Sequence, residues 1–449
     1  MSNVIKIKRG LDIKLKQNDF NESVQPVGVT RYAVKPTDFH GLVPRLLVRE
    51  GDAVRAGDAL FADKACPEVR IVSPVSGTVE AVVRGDKRKL LEIVVAEDTA
   101  AGQVSVEKLA PAAASREQVS AWMLKYGFWP MLRQRPYAIV ANPQDTPKAV
   151  FVSGFDSAPL APAYEKILAG RADDLQTGLD ALARLTDGKV HLSVHVNQGE
   201  NTVFHTLKGV ELHTFSGPHP AGSIGVQIHH VDAVNKGETV WYMNPQDVAA
   251  MGRTMRTGAF DASRVVAVTG SEVTTPGYVA VKYGACLSFL SSCLAGDHVR
   301  VVSGNVLTGE KVAADGFLGF YDHQVTVIPE GDYYEFMGWL APGFGKFSFS
   351  RLFPACLCRK HAYRMDTNMH GAHRAFVMTG QYEKVVPMDI YPVQLLKAIL
   401  AEDIERMEQL GIYEVAEEDF ALCEVICTSK MDVQSILRRG IDLMIKEMN

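Results

Sequence analysis

The stretch EGDAVRAGDALF, residues 50–61, decides the fold of the first part of the chain, together with SPVSGTV at residues 73–79. Each Gly-Asp pair supplies the positive φ and the local side-chain cap that a tight turn needs. Val54, Leu60 and Phe61 fall on the buried side between these turns. Two such turns are typical of a small flattened β-sandwich of the biotinyl/lipoyl type, a barrel-sandwich hybrid.

A sandwich of this type is either a carrier arm or a scaffold. A carrier presents a modifiable lysine at the tip of a hairpin, and Lys64 in ADKA is the candidate at that place. Lys64 stands four residues after Leu60 and is followed by Cys66 and Pro67. The segment before the lysine is therefore shorter, and the segment after it longer, than in the lipoyl pattern. The spacing favours an unmodified scaffold, with a carrier as the alternative.

Composition excludes several classes of protein. The 449 residues are 47% hydrophobic and 22% charged, an ordinary soluble composition that is long enough for about three domains. The net charge is −5 and both signs are scattered, so the chain offers no basic face to nucleic acid or anionic lipid. The longest charge-free apolar stretch, residues 283–296, is about half of what is needed to cross a bilayer. We expect no nucleic-acid partner and no transmembrane segment.

The amino-terminal residues and the cysteines indicate a reducing compartment. MSNVIKIKRGLDIKLK, residues 1–16, alternates polar and apolar side chains and lacks the apolar core of a secretory signal, so it predicts a first pair of strands. The cysteines are odd in number and without a C-x-x-C spacing, as expected for reduced cytosolic thiols. They stand at positions 66, 286, 293, 356, 358, 423 and 427.

The chain divides into four predicted domains. The Ala-rich residues 99–115 predict a boundary. Beyond it, short apolar runs precede a helical rhythm at 164–185 and a strand at 189–196, and this alternation favours an α/β layer. The predicted domains are N-terminal strands with the sandwich at 1–100, a Rossmann-like α/β domain at 116–260, a β-grasp domain at 261–335 and a mainly helical region at 336–449.

The third and fourth domains differ in pattern. RVVAVTG at 264–270 and YVAVKYG at 278–284 flank a Thr-Thr-Pro-Gly turn and predict a hairpin, which a helix at 286–294 follows. That order fits a β-grasp module of roughly 70 residues. Residues 388–410 and 433–448 carry apolar side chains at spacings of three and four, which predicts helices.

Two groups of residues suggest metal ligands, and neither has a convincing spacing. In the second domain, His191 and His195 share a strand face but stand about 13 Å apart along the strand, too far for one metal. We interpret them as a solvated strand face. The second group has a C-x-C spacing that is not that of a zinc ribbon, so we predict no metal there either. The histidines of the first group are His191, His195, His205, His213, His219, His229 and His230, and the second group is Cys356, Cys358, His361, His370 and His373.

The loop SGPHPAGSIG, residues 216–225, carries glycines that could cradle a phosphate at a helix N-terminus. It is not G-x-G-x-x-G, and no acidic residue follows a strand-turn-helix unit as a dinucleotide site requires. A tight structural loop is favoured. No nucleophile elbow, P-loop or HExxH helix occurs anywhere in the sequence.

Several long strings together resemble one family over nearly the whole chain, the A subunits of the bacterial Na⁺-translocating NADH:quinone reductases. The family is similar in architecture to the C subunit of Rnf complexes and to the flavin-bearing subunit of complex I. These relatives imply the order α/β domain, β-grasp (SLBB-like) domain and helical end. The matching strings are GLVPRLLVREGDAVRAGDALFADK (41–64), SPVSGTVEAVVRGDKRKL (73–90), HPAGSIGVQIHHVDAVNKGETVW (219–241), YEKVVPMDIYP (382–392) and EEDFALCEVICTSK (417–430).

The chain departs from the flavin-bearing relatives at the cofactor sites. Where a flavin and NADH site needs a glycine-rich loop, this chain has YGFWPMLRQRPYAIV, in which Trp129, Pro130 and Met131 fill the space. An iron–sulfur cluster needs four thiolates, but the helical sequence near the C-terminus, in EEDFALCEVICTSK, offers only Cys423 and Cys427. The resemblance therefore implies a frame without cofactor sites.

The resemblance implies a peripheral subunit on the cytoplasmic face of the bacterial inner membrane, docked on the other subunits of the complex. That complex would pass electrons from NADH to ubiquinone or menaquinone and export Na⁺, with flavins and iron–sulfur on partner subunits. The chain itself would be non-catalytic, with no catalytic, cofactor or metal residue assigned. It would contribute to quinone binding through residues that the sequence does not identify. A stand-alone NADH-dependent flavoenzyme and a pure assembly scaffold are the alternatives.

Overall fold

The computed structural model describes residues 4–338, 340–357 and 361–448. The first hundred residues are built from short strands. These are β1 (Ile5–Lys6), β2 (Asn21–Pro26), β3 (Arg31–Val34), β4 (Pro44–Leu46), β5 (Ala53–Val54), β6 (Ala59–Asp63), β7 (Arg70–Val72), β8 (Gly77–Arg84) and β9 (Leu90–Glu97).

Strands β3 to β9 form the predicted barrel-sandwich hybrid, with one sheet in the order β3-β9-β8-β5 and a second in the order β4-β6-β7. Its two Gly-Asp turns are alike. Gly51 and Gly57 have φ of 88° and 94°. Asp52 and Asp58 each accept a hydrogen bond at 2.8 Å from the backbone N–H three residues earlier. The six-residue spacing of the two turns therefore repeats the same cap, as the sequence predicts.

The second domain is a mixed sheet with helices. Its elements are α1 (Arg116–Lys125), β10 (Arg133–Arg135), β11 (Ile139–Val140), β12 (Ala149–Ser153), α2 (Tyr164–Ile167), α3 (Ala172–Arg184), β13 (Lys189–His195), β14 (Glu211–Ser216), α4 (Ile224–Asp232), β15 (Val240–Tyr242) and α5 (Pro245–Thr257).

The sheet of the second domain has the order β1-β14-β13-β12-β15-β10-β11. Strands β12 to β15 run parallel, whereas β10 runs antiparallel to both of its neighbours. The carboxyl ends of the parallel strands therefore meet at one edge. The helix predicted at 164–185 is divided into α2 and α3, because Gly170 between them takes a φ of 79°, outside the helical region.

The third domain is the predicted β-grasp module. Its sheet has the order β19-β18-β20-β16-β17-β2. The helical turn predicted at 286–294 is a 3₁₀ helix over Leu287–Ser292. The strands are β16 (Ser263–Thr269), β17 (Gly277–Lys282), β18 (Val299–Ser303), β19 (Glu310–Val312) and β20 (Gln324–Pro329).

The prediction that the amino-terminal residues form a strand pair is wrong. β1 pairs in parallel with β14 of the second domain, and β2 pairs in parallel with β17 of the β-grasp domain. Among the described residues of 1–16 only Ile5–Lys6 form a strand, and periodicity says nothing about which strand is its partner. The first 26 residues thus tie two later domains together.

The carboxyl-terminal region contains α6 (Pro392–Leu400), α7 (Ile404–Gln409), α8 (Ala421–Ile426) and α9 (Val433–Met448). Pro392 occupies the first turn of α6, where its missing N–H costs nothing. Leu395 and Leu437 are fully buried in a core that also takes in Ile7 near β1. Across the described ranges, no helix combines the length and the apolar character that a membrane crossing requires.

Candidate ligand cleft and docking surface

A cleft of about 1110 Å³ opens at the carboxyl ends of the parallel strands. Residues directly after β12 and β15 line it, and so do the loop that follows β18 and one side of α9. Ligands of open α/β sheets bind outside the carboxyl ends of the strands. This cleft is therefore the candidate ligand site of the molecule.

The lining of the cleft is acidic. Nine carboxylate side chains and three arginines contribute to it, so the cleft repels phosphates more than it attracts them. The acidic residues are Asp38, Asp156, Glu310, Asp322, Glu417, Glu418, Glu424, Asp432 and Asp442, and the arginines are Arg133, Arg438 and Arg439. A dinucleotide, which carries at least two phosphate charges, is poorly matched to this lining.

The N-terminus of α4, where a phosphate would sit, faces a carboxylate of the chain itself. A Cβ on Gly225, in the first turn of α4, would stand 2.4 Å from Oδ1 of Asp419. Arg135 of β10 fixes this carboxylate, because its guanidinium is fully buried and donates to Asp419 Oδ2 at 2.7 Å and to Glu418 Oε1 at 2.8 Å. The glycines of residues 216–225 therefore serve close packing, as the structural interpretation of this loop predicts.

The same loop holds a buried histidine next to the cleft. His219 Nδ1 lies 3.0 Å from Ser157 Oγ, and the backbone N–H of His219 donates to Asp12 Oδ1 at 2.9 Å. Burial lowers the pKa of His219 to about 4, so the ring is neutral at pH 7. A neutral ring adds no positive charge with which to hold a phosphate.

Arg133 is the side chain that sequence reasoning missed. Its guanidinium lies 4.8 Å from the ring centroid of Tyr242 and 4.6 Å from that of Tyr321. Within the described residues this guanidinium forms no hydrogen bond or ion pair, although that of Arg135, two positions along the same strand, forms both. The signal in the sequence is the pair of arginines in RQR, which stand on one face of a strand with mostly apolar flanks.

The residues predicted to replace the cofactor sites are core residues. Trp129 is fully buried, donates from Nε1 to the carbonyl of Ala141 at 2.7 Å and packs edge-on against Trp241. Cys423 and Cys427 are buried, and the Tyr382 hydroxyl donates to Sγ of Cys427 at 2.9 Å. These side chains are therefore part of the protein core.

The remaining candidates lie apart from the cleft. Lys64 is exposed in the loop between β6 and β7, at a hairpin tip as expected. Cys356, His361, His370 and His373 do not bring three ligand atoms together in the part of the chain that the structure describes. Cys358 lies outside the described residues, so the C-x-C pair is not covered.

The interpretation of the histidine strand as a solvated face is wrong. His191 is buried on β13, and its ring stacks on Phe151 of β12 at 4.7 Å between centroids. The parallel pairing of β13 with β14 places Glu211 and His213 beside it. Counting along one strand finds only His195; the neighbours across the sheet depend on a pairing that the sequence does not state.

A second surface stands out by its exposure. We call residues 333–357 the apolar segment, because large hydrophobic side chains along it face solvent. Strands are absent from its described residues, and its one helical turn is a 3₁₀ helix over Pro354–Leu357. The exposed fractions are 103% for Tyr334, 91% for Phe336, 64% for Leu340, 73% for Phe344, 74% for Leu352 and 84% for Leu357. Because exposed apolar patches often mark interaction sites, the apolar segment is a candidate docking surface.

Comparison with known proteins assigns the family. Models described as the N-terminal barrel-sandwich hybrid domain, the second alpha/beta domain and the C-terminal domain of NqrA match residues 5–98, 114–260 and 265–314. A relative from Rhodopirellula baltica, the A subunit of its Na⁺-translocating NADH-quinone reductase, is 38% identical over 99% of this chain and 98% of its own length. The chain belongs to this NqrA family.

Further members of the NqrA family agree over similar lengths. Those of Tolumonas auensis and Yersinia pestis are 39% and 37% identical, and each alignment covers 97% of this chain and 98% of the relative. Among solved structures, an NAD⁺-reducing [NiFe]-hydrogenase aligns with 68% of this chain and 55% of its own chain at 12% identity and a TM-score of 0.35, which supports no conclusion. Membership makes the chain one component of a Na⁺-translocating NADH-quinone reductase, with the other subunits as partners.

Proposed function

We propose that the chain is a peripheral, cofactor-free subunit on the cytoplasmic face of the complex, where it helps to bind the quinone. The complex as a whole would oxidise NADH, reduce ubiquinone or menaquinone and export Na⁺, with the electron carriers on other subunits. The quinone assignment rests on the guanidinium of Arg133, which lines an acidic cleft and has no hydrogen-bond or ion-pair partner among the described residues.

The apolar segment supports the peripheral role. Its exposed aromatic and aliphatic side chains cost free energy in water, and burying them against partner subunits recovers about 25 cal/mol per Å² of apolar surface. The helices from residue 388 onward offer less apolar surface to a partner, because Leu395, Leu396 and Ile441 are buried in the core of this chain. The membrane-embedded subunits of the complex are the proposed occupants of the apolar segment.

The charges of the cleft support the absence of a nucleotide or flavin phosphate. Asp419 faces the N-terminus of α4, and carboxylates outnumber arginines along the lining. Two buried cysteines do not make the four-thiolate set of an iron–sulfur cluster. Each of these features disfavours a stand-alone NADH-dependent flavoenzyme.

A quinone headgroup suits what remains. It is neutral, so the carboxylates do not repel it, and its carbonyl oxygens accept hydrogen bonds from a guanidinium. The guanidinium of Arg133 has donors that no described residue uses, and it lies 4.8 Å and 4.6 Å from the ring centroids of Tyr242 and Tyr321. The cleft volume of about 1110 Å³ is slightly above the usual range of about 300–1,000 Å³ for ligand pockets, so the cleft has room for a quinone.

The test is quinone kinetics in the assembled complex. Arg133→Gln removes the charge and should raise KM for quinone about tenfold or more, because a hydrogen bond from a charged donor contributes about 1.5–3 kcal/mol. NADH oxidation with an artificial electron acceptor should stay unchanged. Arg439→Gln is the matched control, since Arg439 lines the same cleft but pairs with Glu402 at 3.0 Å.

Two results would contradict the proposal. An unchanged KM for quinone in Arg133→Gln, with normal assembly, would favour a pure assembly scaffold. About one equivalent of flavin absorbance on the isolated chain would favour the flavoenzyme.

A further inference from the structure

Two adjacent strands outside the quinone cleft bring two histidines and a glutamate together. His191 lies on β13, and Glu211 and His213 lie on the adjacent parallel strand β14. One ligand atom from each residue falls within 4.8 Å of the other two. Two imidazoles and one carboxylate are a donor set that Zn²⁺ and similar divalent transition metals use, with open positions left for solvent.

The distances suit one ion. His191 Nδ1 lies 2.9 Å from His213 Nε2 and 3.5 Å from Glu211 Oε2. Two ligand atoms on one Zn²⁺ stand about 3.0–3.5 Å apart when each bond is about 2.1 Å. The two distances from His191 therefore already match this spacing to within about 0.5 Å, and the three ligand atoms lie within 4.8 Å of one another.

Burial on one side and solvent on the other also fit a metal site. The His191 side chain is 9% exposed and held by the Phe151 ring, so it cannot swing away freely. The Glu211 side chain is 42% exposed, so an ion and its waters can enter from that side. His191 is thus held in place on β13, and the ligand atoms of Glu211 and His213 lie next to it on β14.

The existing contacts define what an ion must displace. The two imidazoles share one hydrogen bond between Nδ1 of His191 and Nε2 of His213. The ring that donates there must move its proton to its other nitrogen, so both rings stay neutral and offer a lone pair. Lys189 pairs with Oε1 of Glu211, which leaves Oε2 for the ion. The positive charge of Lys189 works against cation binding.

We propose that His191, Glu211 and His213 bind one divalent transition-metal ion of the Zn²⁺ type, with water in the remaining positions, and that the ion links β13 to β14. The sequence-based expectation of no metal rested on the distance from His191 to His195 along one strand. The site forms across two strands instead.

The experiment uses the full chain, stripped of metal with a chelator and titrated with Co²⁺ and then with Zn²⁺. We expect one equivalent of Co²⁺ to give visible d–d absorption without the near-ultraviolet thiolate band that cysteine ligation produces, and Zn²⁺ to displace it. His213→Ala should weaken binding at least tenfold, because one of three protein ligands is lost. His205→Ala is the matched control. His205 lies in the same domain but outside this group, with its Nδ1 at 2.9 Å from Thr202 Oγ1.

A second variant separates a ligand site from a structural histidine pair. Lys189→Met removes the cation that competes for Glu211 and should strengthen Zn²⁺ binding severalfold, while a purely structural cluster predicts no binding to strengthen. The proposal is overturned if the wild-type chain binds less than half an equivalent, or if His213→Ala binds as tightly as wild type. A thiolate band, or Lys189→Met binding no tighter than wild type, would also overturn this donor set.

Discussion

The cleft and the apolar segment treat their side chains in opposite ways. At the cleft, Arg135 forms ion pairs with Asp419 and Glu418 at the point where a phosphate would bind. Along the apolar segment, Tyr334 and Phe336 project into solvent with more than nine-tenths of their surface exposed. A paired buried charge needs no ligand, whereas an exposed aromatic side chain is stabilised by a partner. The charges at the cleft therefore disfavour a phosphate, and we propose the apolar segment as the surface that contacts other subunits.

The largest expected effect on stability comes from removing the buried ion pair between Arg135 and Asp419. Asp419→Ala leaves the guanidinium of Arg135 buried with only Glu418 as an acidic partner, and both Arg135 and Asp419 have fully buried side chains. We expect a loss of about 3–5 kcal/mol in the free energy of unfolding, measured by urea denaturation. Arg31→Ala, which removes an exposed pair with Glu80, should cost less than about 1 kcal/mol. Equal losses in the two variants would show that the buried pair is not special.

The next effect is the pH dependence that His219 adds beside the cleft. Its pKa is about 4 when folded and 6.5 ordinarily, so between these values the unfolded chain binds more protons. Stability from this group is therefore complete above pH 6.5 and falls as the pH drops towards 4, by about 3 kcal/mol in all. His219→Asn should flatten the stability profile in that window.

A matched comparison isolates the His219 contribution. Burial raises the pKa of Asp38 to about 6 against the opposing effect of Lys35, so Asp38 acts in the other direction between pH 3.8 and 6. Because Asp38 is present in both chains, the difference between the wild-type and His219→Asn profiles removes it. Parallel profiles from pH 4 to 7 would mean that His219 titrates normally in the folded chain.

On the exposed side, substitutions should change assembly and leave stability alone. The double variant Phe336→Ser with Phe344→Ser alters side chains that are 91% and 73% exposed. The free energy of unfolding should therefore change by no more than about 0.5 kcal/mol per site. Co-purification with the membrane subunits should fall, because apolar contact area is lost. Val83→Ser in the sandwich, 38% exposed, is the control. Full co-purification of the double variant would remove the apolar segment from the docking surface.

The smallest expected effect is at Lys64. Its side chain is exposed at the hairpin tip, and a scaffold does not use it. Lys64→Ala should leave quinone reductase activity of the assembled complex within about twofold of normal, and intact mass should show no added group on wild-type Lys64. A large loss of activity with normal assembly would revive the carrier arm.

The sequence predicted what local patterns control. The Gly-Asp turns, the strands of the β-grasp hairpin and the start of α6 at Pro392 follow from backbone preferences of single residues. Partners across the sheet do not follow from such preferences. The pairing of β1 with β14, and of His191 with His213, depends on residues more than 20 positions apart. Arg133 and Arg135 look alike in the sequence, and only their surroundings make one a buried ion pair and the other a free donor.

Deleting α9 would be a poor test of docking, because the apolar side of this helix packs inside the chain itself. The spacing at 433–448 predicts a helix, and its apolar residues Leu437 and Ile441 are fully buried within this chain. A deletion would expose the core of the helical region and confuse unfolding with undocking. The apolar segment, which the sequence pattern left without a role, is the surface to alter.

Quinone binding can be measured by calorimetric titration of the isolated chain with a short-chain ubiquinone analogue and, separately, with NADH. The acidic cleft with the free guanidinium of Arg133 predicts saturable binding of the quinone, weakened at least tenfold by Arg133→Gln, and no binding of millimolar NADH. Stoichiometric binding of NADH, or quinone binding that Arg133→Gln leaves intact, would contradict this prediction.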